Sequence, residues 1–77
     1  MKDLLMFIVK AMVDSPENVK VNVVQSQQAT ILELYVESKD RGKIIGKQGK
    51  NASAIRHILN VAAKKENKRV ILEIIED

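Results

Sequence analysis

The chain has 77 residues, which is enough for one small domain with a limited core. It contains no cysteine, so a disulfide framework and a thiolate metal site are both excluded. A hydrophobic fraction of 45% is typical of a packed globule, and a net charge of +3 is too small to identify a partner by itself. We expect a single domain over residues 1–77 that works in a reducing cytoplasm and has no membrane-spanning segment.

The first half of the sequence predicts a helix followed by two strands. Residues 2–13 are apolar except on one side, which suits a helix with most of its circumference covered, and Pro16 ends it. Residues 18–25 and 30–37 alternate between apolar and polar side chains, as strands with two different faces do. The polar residues 26–29 between them complete an antiparallel hairpin.

The second half predicts two helices and a last strand. Asp40 can cap a short helix that ends near Ile45, and a longer helix runs from about Lys50 to Lys65. The segment Val70–Ile75 is apolar enough for a strand that is central or buried on both faces. The order α-β-β-α-α-β predicts an α+β fold in which the helices pack on one face of a three-stranded sheet.

The segment between the two predicted helices concentrates positive charge and glycine. Residues 39–50 hold five basic residues against one acidic residue, a net charge of +4, and all three glycines of the chain. Glycine at both ends of Gly46-Lys47-Gln48-Gly49 allows positive φ and lets a ligand approach the backbone. The unsatisfied N–H groups at the start of the long helix add the positive end of its dipole. This combination predicts a binding site for phosphate groups.

Two other interpretations compete with a nucleic-acid clamp. A nucleotide-binding P-loop needs four residues between its glycines and then Lys-Ser/Thr. Here three residues separate Gly42 from Gly46, and Gln48 follows Lys47, so we reject a P-loop. A tight turn with solvated lysines is the commoner explanation of an isolated G-x-x-G, and only the wider sequence argues against it.

The wider sequence resembles a known family. The run Ile44–Gly49 resembles the hydrophobic-Ile-Gly-x-x-Gly signature of KH domains, and the element order is similar to their prokaryotic, type II arrangement. With Ala54-Ile55-Arg56 and the closing residues 68–74, the likeness extends over the whole chain to the KhpA family of small bacterial proteins that consist of one KH domain. Arg41 is a departure, because the family usually has an apolar residue there.

The resemblance implies that the loop grips the backbone of about four nucleotides of single-stranded RNA. It also implies an aliphatic groove, between the helices and the second strand, that holds the bases. Single-stranded DNA is an alternative ligand, and no cofactor or metal is implied. The residues that we expect to bind RNA are Arg41, Lys43, Ile44, Ile45, Gly46, Lys47, Gln48, Gly49, Lys50 and Arg56.

The chain has two aromatic residues, so it is poorly equipped to stack bases. We place Phe7 in the core of the first helix and Tyr35 on the polar face of the second strand. Without an aromatic platform, we expect weak, weakly selective and salt-sensitive binding, with a Kd on the order of micromolar. His57 has no second histidine or cysteine beside it, and we expect it at the surface, not as a metal ligand.

The long helix is apolar over roughly 200° of its circumference, although a sheet covers a stripe of only about 100°. Ile55, Leu59 and Ala62 should face the core, which leaves an apolar flank uncovered. A shallow exposed flank is one explanation. The KhpA resemblance implies another, namely homodimers and heteromers with a second RNA-binding protein of the Jag (KhpB) family. The residues that we expect at the dimer interface are Ala54, Ile58 and Val61.

These patterns predict a non-enzymatic RNA-binding protein, because no Ser/His/Asp set, carboxylate pair or metal cluster supports catalysis. The resemblance implies an RNA chaperone or post-transcriptional regulator that affects cell-envelope homeostasis, cell length and so cell shape. The alternative is a protein–protein interaction module in which the loop is vestigial and the long helix recruits a partner.

Overall fold

A three-stranded sheet carries the helices on one of its faces in the computed structural model, which describes residues 1–76. The predicted element order and α+β class are confirmed. None of the helices in this range is long and apolar enough to cross a membrane. The elements are α1 (Lys2–Met12), β1 (Lys20–Gln25), β2 (Thr30–Tyr35), α2 (Ser38–Ile45), α3 (Lys50–Lys65) and β3 (Val70–Ile74), with 3₁₀ turns at Pro16–Asn18 and Lys47–Gly49.

The sheet has the order β1-β2-β3, with β1 and β2 antiparallel and β2 and β3 parallel. The prediction that the last strand is central or buried on both faces is wrong, because β2 takes the central place and β3 lies at the edge. Val70 and Leu72 are buried against the helices, whereas Ile71 between them is exposed on the open face. The sequence of β3 is therefore largely apolar because both of its faces carry apolar side chains, although the helices cover only one of them.

The core lies between the sheet and the helices. Leu5 and Val9 of α1, Leu32 and Leu34 of β2, and Leu59 of α3 are all fully buried. Burial of side chains of this size stabilises a fold by roughly 1.5–3 kcal/mol each. The strict alternation along β2 is the reason that this strand could be assigned correctly from the sequence.

Phe7 is not in the core, contrary to the prediction, and its exposed fraction is 76%. Leu5 and Val9, four residues apart, define the buried side of α1. At 100° per residue, Phe7 lies about 160° away from Leu5 around the helix and so faces outward. The helices form a single layer on the sheet, so no further element within residues 1–76 packs over the outer side of α1, where Phe7 lies.

The buried stripe of α3 follows the helical period. Ile55 and Leu59 face the core as predicted, and the stripe continues to Ala63. Ala62, which was predicted to face the core, is only half-buried. The stripe extends in the other direction to Ala52, so its four positions wind slowly around the helix axis.

Asp40 has a different role from the predicted helix cap. The helix α2 begins at Ser38, and Asp40 lies inside it with an exposed fraction of 0%. Its two carboxylate oxygens accept hydrogen bonds from the backbone N–H groups of Asp14 and Ser15, each over 3.1 Å. Asp40 therefore joins α2 to the corner where α1 ends, and its buried charge is satisfied by this contact.

We expect Asp40→Ala to lower the free energy of unfolding by about 3 kcal/mol, because it leaves two backbone N–H groups without an acceptor. Asp40→Asn keeps one acceptor oxygen, so its loss should be smaller. Urea denaturation measures both, with Glu17→Ala at an exposed position as the control. Equal stability of the Asp40→Ala and Glu17→Ala variants would contradict this role.

Candidate functional site

The segment Gly46–Gly49 reverses the chain between α2 and α3 with a left-handed backbone. Gly46 has φ 75° and ψ 172°, a combination that is nearly restricted to glycine. Gln48 has φ 59° and ψ 26°, and Gly49 has φ 76° and ψ 12°. The two glycines predicted for positive φ both have it. The result is a tight, exposed turn directly before the first residue of α3.

Gly46 is also required for steric reasons, because a Cβ there would lie 2.6–2.9 Å from atoms of Asn51. Asn51 cannot easily move away, since its Nδ2 donates a hydrogen bond to the carbonyl oxygen of Lys43 over 2.8 Å. A Cβ on Gly49 would meet nothing within 4 Å, so only its φ favours glycine. Asn51 was not identified from the sequence. A short polar side chain in the first turn after a glycine loop is the signal that could have found it.

The lysines of the loop region differ in their availability. Lys47 and Lys50 are exposed, and neither forms an ion pair with any residue in the range 1–76. Lys43 forms an ion pair with Asp14. The hydrogen bond and charge of Lys43 hold the pKa of the Asp14 carboxyl below its usual value. The charge of Lys43 is therefore partly neutralised, and Lys47 and Lys50 carry the free positive charge of the loop.

A groove of about 410 Å³ opens beside the loop, between α2, α3 and the end of β3. The expected groove against the second strand is therefore placed wrongly. The reason is the strand order, since β2 is central and β3 is the edge strand. The groove is lined by Arg41, Ile45, Gln48, Gly49, Ala52, Ser53, Arg56, Ile74 and Glu76.

Two arginines border the groove. An Arg56 guanidinium nitrogen donates to the Leu72 carbonyl oxygen over 3.5 Å, which ties α3 to the free edge of β3. The Arg41 side chain is 17% exposed, and its Nη1 lies 3.9 Å from a carboxylate oxygen of Glu76. The Nε of Arg41 is buried and has no hydrogen-bond partner within the described residues. Arg41 thus retains unmet hydrogen-bonding capacity.

The structure brings most of the predicted RNA-binding residues together, and it separates two of them. Ile45, Gln48, Gly49, Arg41 and Arg56 share the groove, and Gly46, Lys47 and Lys50 complete the adjoining turn. Ile44 is 0% exposed, so its side chain belongs to the core and anchors the end of α2 just before the loop. The Lys43 side chain is directed to Asp14. Among residues 1–76, no three His, Asp or Glu side chains lie close enough together to hold a metal ion.

Comparison with known proteins supports the assignment of the loop to a KH domain. The family model described as the KhpA/KhpB KH domain matches residues 2–74. The chain belongs to this family. The resemblance found in the sequence is thereby confirmed, and the G-x-x-G segment lies well inside the matched range.

Curated relatives match over nearly the whole chain. "RNA-binding protein KhpA" of Clostridium perfringens is 53% identical over 75 residues, which cover 97% of this chain and 100% of the relative. The protein of the same name from Clostridium acetobutylicum is 55% identical with the same coverage. The one from Borreliella burgdorferi is 50% identical over 74 residues, 96% of this chain and 90% of the relative.

We expect alanine to be tolerated differently at the glycines. Gly49→Ala should lower the free energy of unfolding by about 1 kcal/mol, because alanine is strained in the left-handed backbone. Gly46→Ala should lower it by at least about 3 kcal/mol, because its Cβ would also clash with Asn51. Gly42 lies inside α2 with open space around it, so Gly42→Ala should be neutral or slightly stabilising. Urea denaturation of the three variants tests this order. A Gly46→Ala variant as stable as Gly49→Ala would be inconsistent with the described packing of Asn51.

Proposed function

We propose that this chain binds single-stranded RNA, without catalysing a reaction, through the Gly46–Gly49 loop and the groove beside it. The observation that carries the proposal is the exposed left-handed turn at the start of α3, next to Lys47 and Lys50, which form no ion pair with residues 1–76. The proteins named RNA-binding protein KhpA, about half identical over the full length, support the same ligand.

The loop would contact the RNA backbone. The Lys50 N–H donates to the Lys47 carbonyl oxygen, so the N–H groups that follow it in the first turn of α3 are the ones open to a ligand. They carry the positive end of a dipole from 16 residues. A phosphate can approach them closely because Gly49 has no side chain. Lys47 and Lys50, before and after Gly49 in the sequence, add two exposed ammonium groups near the same position. Such contacts position a strand without reading its sequence, and they weaken as the salt concentration rises.

The groove would hold bases mainly by apolar contact. Ile45 and Ile74 contribute aliphatic side chains that are partly exposed, and Ala52 forms part of the lining. Gln48 and Arg56 can donate hydrogen bonds at the same groove. Because the groove has no aromatic platform, we propose weak and weakly selective binding, with a Kd on the order of micromolar.

We expect the double variant Lys47→Asp, Gln48→Asp to lose about tenfold or more in RNA affinity, because it places two anions where phosphates would bind. Aspartate tolerates the left-handed backbone at position 48, whereas Gly46→Asp would clash with Asn51 and disturb the loop itself. Fluorescence anisotropy with a labelled single-stranded RNA, repeated at several salt concentrations, measures the affinity and its salt slope.

A matched control distinguishes an effect of charge at the loop from an effect of the net charge of the chain. The variant Lys2→Asp, Gln27→Asp changes the net charge equally, and both residues lie near the C-terminal end of α3, about 24 Å from the loop. Its RNA affinity should remain within about threefold of the parent, as expected for distant charges that salt screens. Equal losses in both variants, or an affinity that does not change with salt, would refute the loop as the binding site.

We further propose that the chain acts as a homodimer through the outer flank of α3. Ile58 and Val61 are 45% and 46% exposed, and Ala54 on the same side is exposed as well. Large apolar side chains that recur at helical spacing on one surface are typical of a helix that packs against a partner.

We expect Ile58→Asp and Val61→Asp to produce folded monomers, since a charge in an apolar interface cannot be solvated. Analytical ultracentrifugation measures the oligomeric state, and circular dichroism checks the fold. Asn60→Asp is the matched control, because Asn60 is exposed on the other side of α3 near Arg56 and Leu72. An Ile58→Asp variant that is still dimeric would rule out this surface.

As a wider role, we propose an RNA chaperone or post-transcriptional regulator in the cytoplasm. The matching family model covers KhpA and KhpB alike, which supports a heteromer with a KhpB (Jag) partner as well as a homodimer. Effects on cell-envelope homeostasis, cell length and cell shape would then follow from the regulated transcripts. Crosslinking in the host, followed by sequencing of the bound RNA, identifies those transcripts.

A second candidate is a protein–protein interaction module with a vestigial loop. The exposed Phe7 favours it, because an aromatic side chain that is 76% exposed is a typical anchor for a partner. The Lys47→Asp, Gln48→Asp variant distinguishes the two candidates. RNA crosslinking that survives in this variant supports the second candidate, and its loss with fold and dimer intact supports the first.

A further inference from the structure

A second cavity lies on the other side of Arg41 from the groove. Its volume is about 560 Å³, larger than the 410 Å³ of the groove, and within the range of about 300–1,000 Å³ typical of small-ligand sites. Lys20 and Tyr35 contribute to its wall from neighbouring strands, on the face of the sheet that no helix covers. We name it the tyrosine cavity. Its lining residues are Asn18, Lys20, Tyr35, Val36, Glu37, Ser38 and Arg41.

Arg41 belongs to both cavities, and its hydrogen bonds are incomplete. Its Nε is buried without a partner in the described range, and its only acidic neighbour there, Glu76, is 3.9 Å away and exposed. Because the Nε is buried, an incoming anion would meet the terminal Nη groups, whose one ion-pair contact within residues 1–76 is the 3.9 Å contact with Glu76. A guanidinium also binds phosphate oxygens through two parallel N–H groups.

The tyrosine cavity combines positive charge with an aromatic ring. Lys20 and Tyr35 are direct cross-strand partners, so their side chains leave the sheet next to each other on the same face. Glu37 is the one acidic residue of the lining, and its carboxylate already accepts a hydrogen bond from Asn18 Nδ2 over 2.8 Å. The lining therefore offers two cations against one carboxylate, whose charge the neutral amide of Asn18 does not cancel, and a half-buried ring.

We propose that the tyrosine cavity is a second nucleotide site, which takes the nucleotide next to the segment held by the loop. The base stacks on Tyr35, and its phosphate lies between Arg41 and Lys20. This inference rests on the proposed function, because the strand reaches Arg41 from the groove. A stacked base is bound without regard to its identity, since every base has an aromatic face. The site would lengthen the footprint beyond the roughly four nucleotides of a KH loop.

The chain itself provides the probe for this site. Tyr35 is the only tyrosine, and the chain has no tryptophan, so its intrinsic fluorescence reports on this cavity alone. Oligoadenylates of four and eight nucleotides are titrated against the full chain. We expect the longer one to quench Tyr35. Its five overlapping registers alone raise its affinity by up to about fivefold, and we expect a further gain of about five- to tenfold, as stacking of one base on an aromatic side chain implies. The shorter one should bind through the loop with little quenching.

Two variants at Tyr35 distinguish stacking from a structural role. Tyr35→Phe keeps the ring and should retain the full preference for the longer oligonucleotide. Tyr35→Leu should reduce the preference to the register factor and leave binding of the shorter one unchanged. Lys20→Met should reduce the salt slope for the longer oligonucleotide only, because it removes one phosphate contact.

The outcomes separate this inference from the proposed function. A preference for the longer oligonucleotide no larger than the register factor, with no quenching, would overturn the second site and leave the loop intact. Failure of both oligonucleotides to bind would overturn both. Quenching by an acidic peptide that lacks tyrosine, but not by RNA, would assign the cavity to a protein partner and so overturn a nucleotide site.

Discussion

The buried carboxylate of Asp40 is the contact on which the position of the loop depends. It fixes α2 to the backbone of Asp14 and Ser15, at the corner where α1 ends. One turn later, Lys43 reaches the same corner through its ion pair with Asp14, and its carbonyl accepts the hydrogen bond of Asn51 from α3. The start of α3 is thus held to α2, and α2 to α1. The Asp40 carboxylate is tolerated in this interior because each of its two oxygens accepts a hydrogen bond from the backbone.

Much of this architecture could be predicted from the sequence, and the errors share a physical origin. Periodicity identifies the apolar face of an element, which was sufficient for β2 and for the stripe through Ile55 and Leu59. It does not reveal what covers that face. Phe7 was assigned to the core because α1 looks apolar nearly all round, and β3 was made central because it is apolar on both faces. To avoid either error, one would have to know how many layers of helices and strands pack together in this fold.

The candidate site was predictable where the chemistry is local. Two glycines, adjacent lysines and a helix start lie within a few residues, so their combination is visible in the sequence. Contacts between distant residues are not, and Asp40 bonds to residues that are 25 and 26 positions away. The structure also lowers the effective charge of the segment below its nominal net of +4, since Lys43 is paired and Arg41 faces Glu76. Two lysines without an ion pair in the described part of the chain would contribute few phosphate contacts, so contacts outside the loop would be important for RNA affinity.

The parallel pairing of β2 with β3 has a consequence for how the site comes into being. Thr30 pairs with Val70, so α2, the loop and α3 are all contained in the crossover between two neighbouring strands. The β1–β2 hairpin closes over four residues and can form within microseconds. The crossover must first bring together segments 40 positions apart, which is entropically costly and slow. We therefore expect the pairing of β2 with β3, and with it the final packing of the two helices that flank the loop, to follow the hairpin during folding.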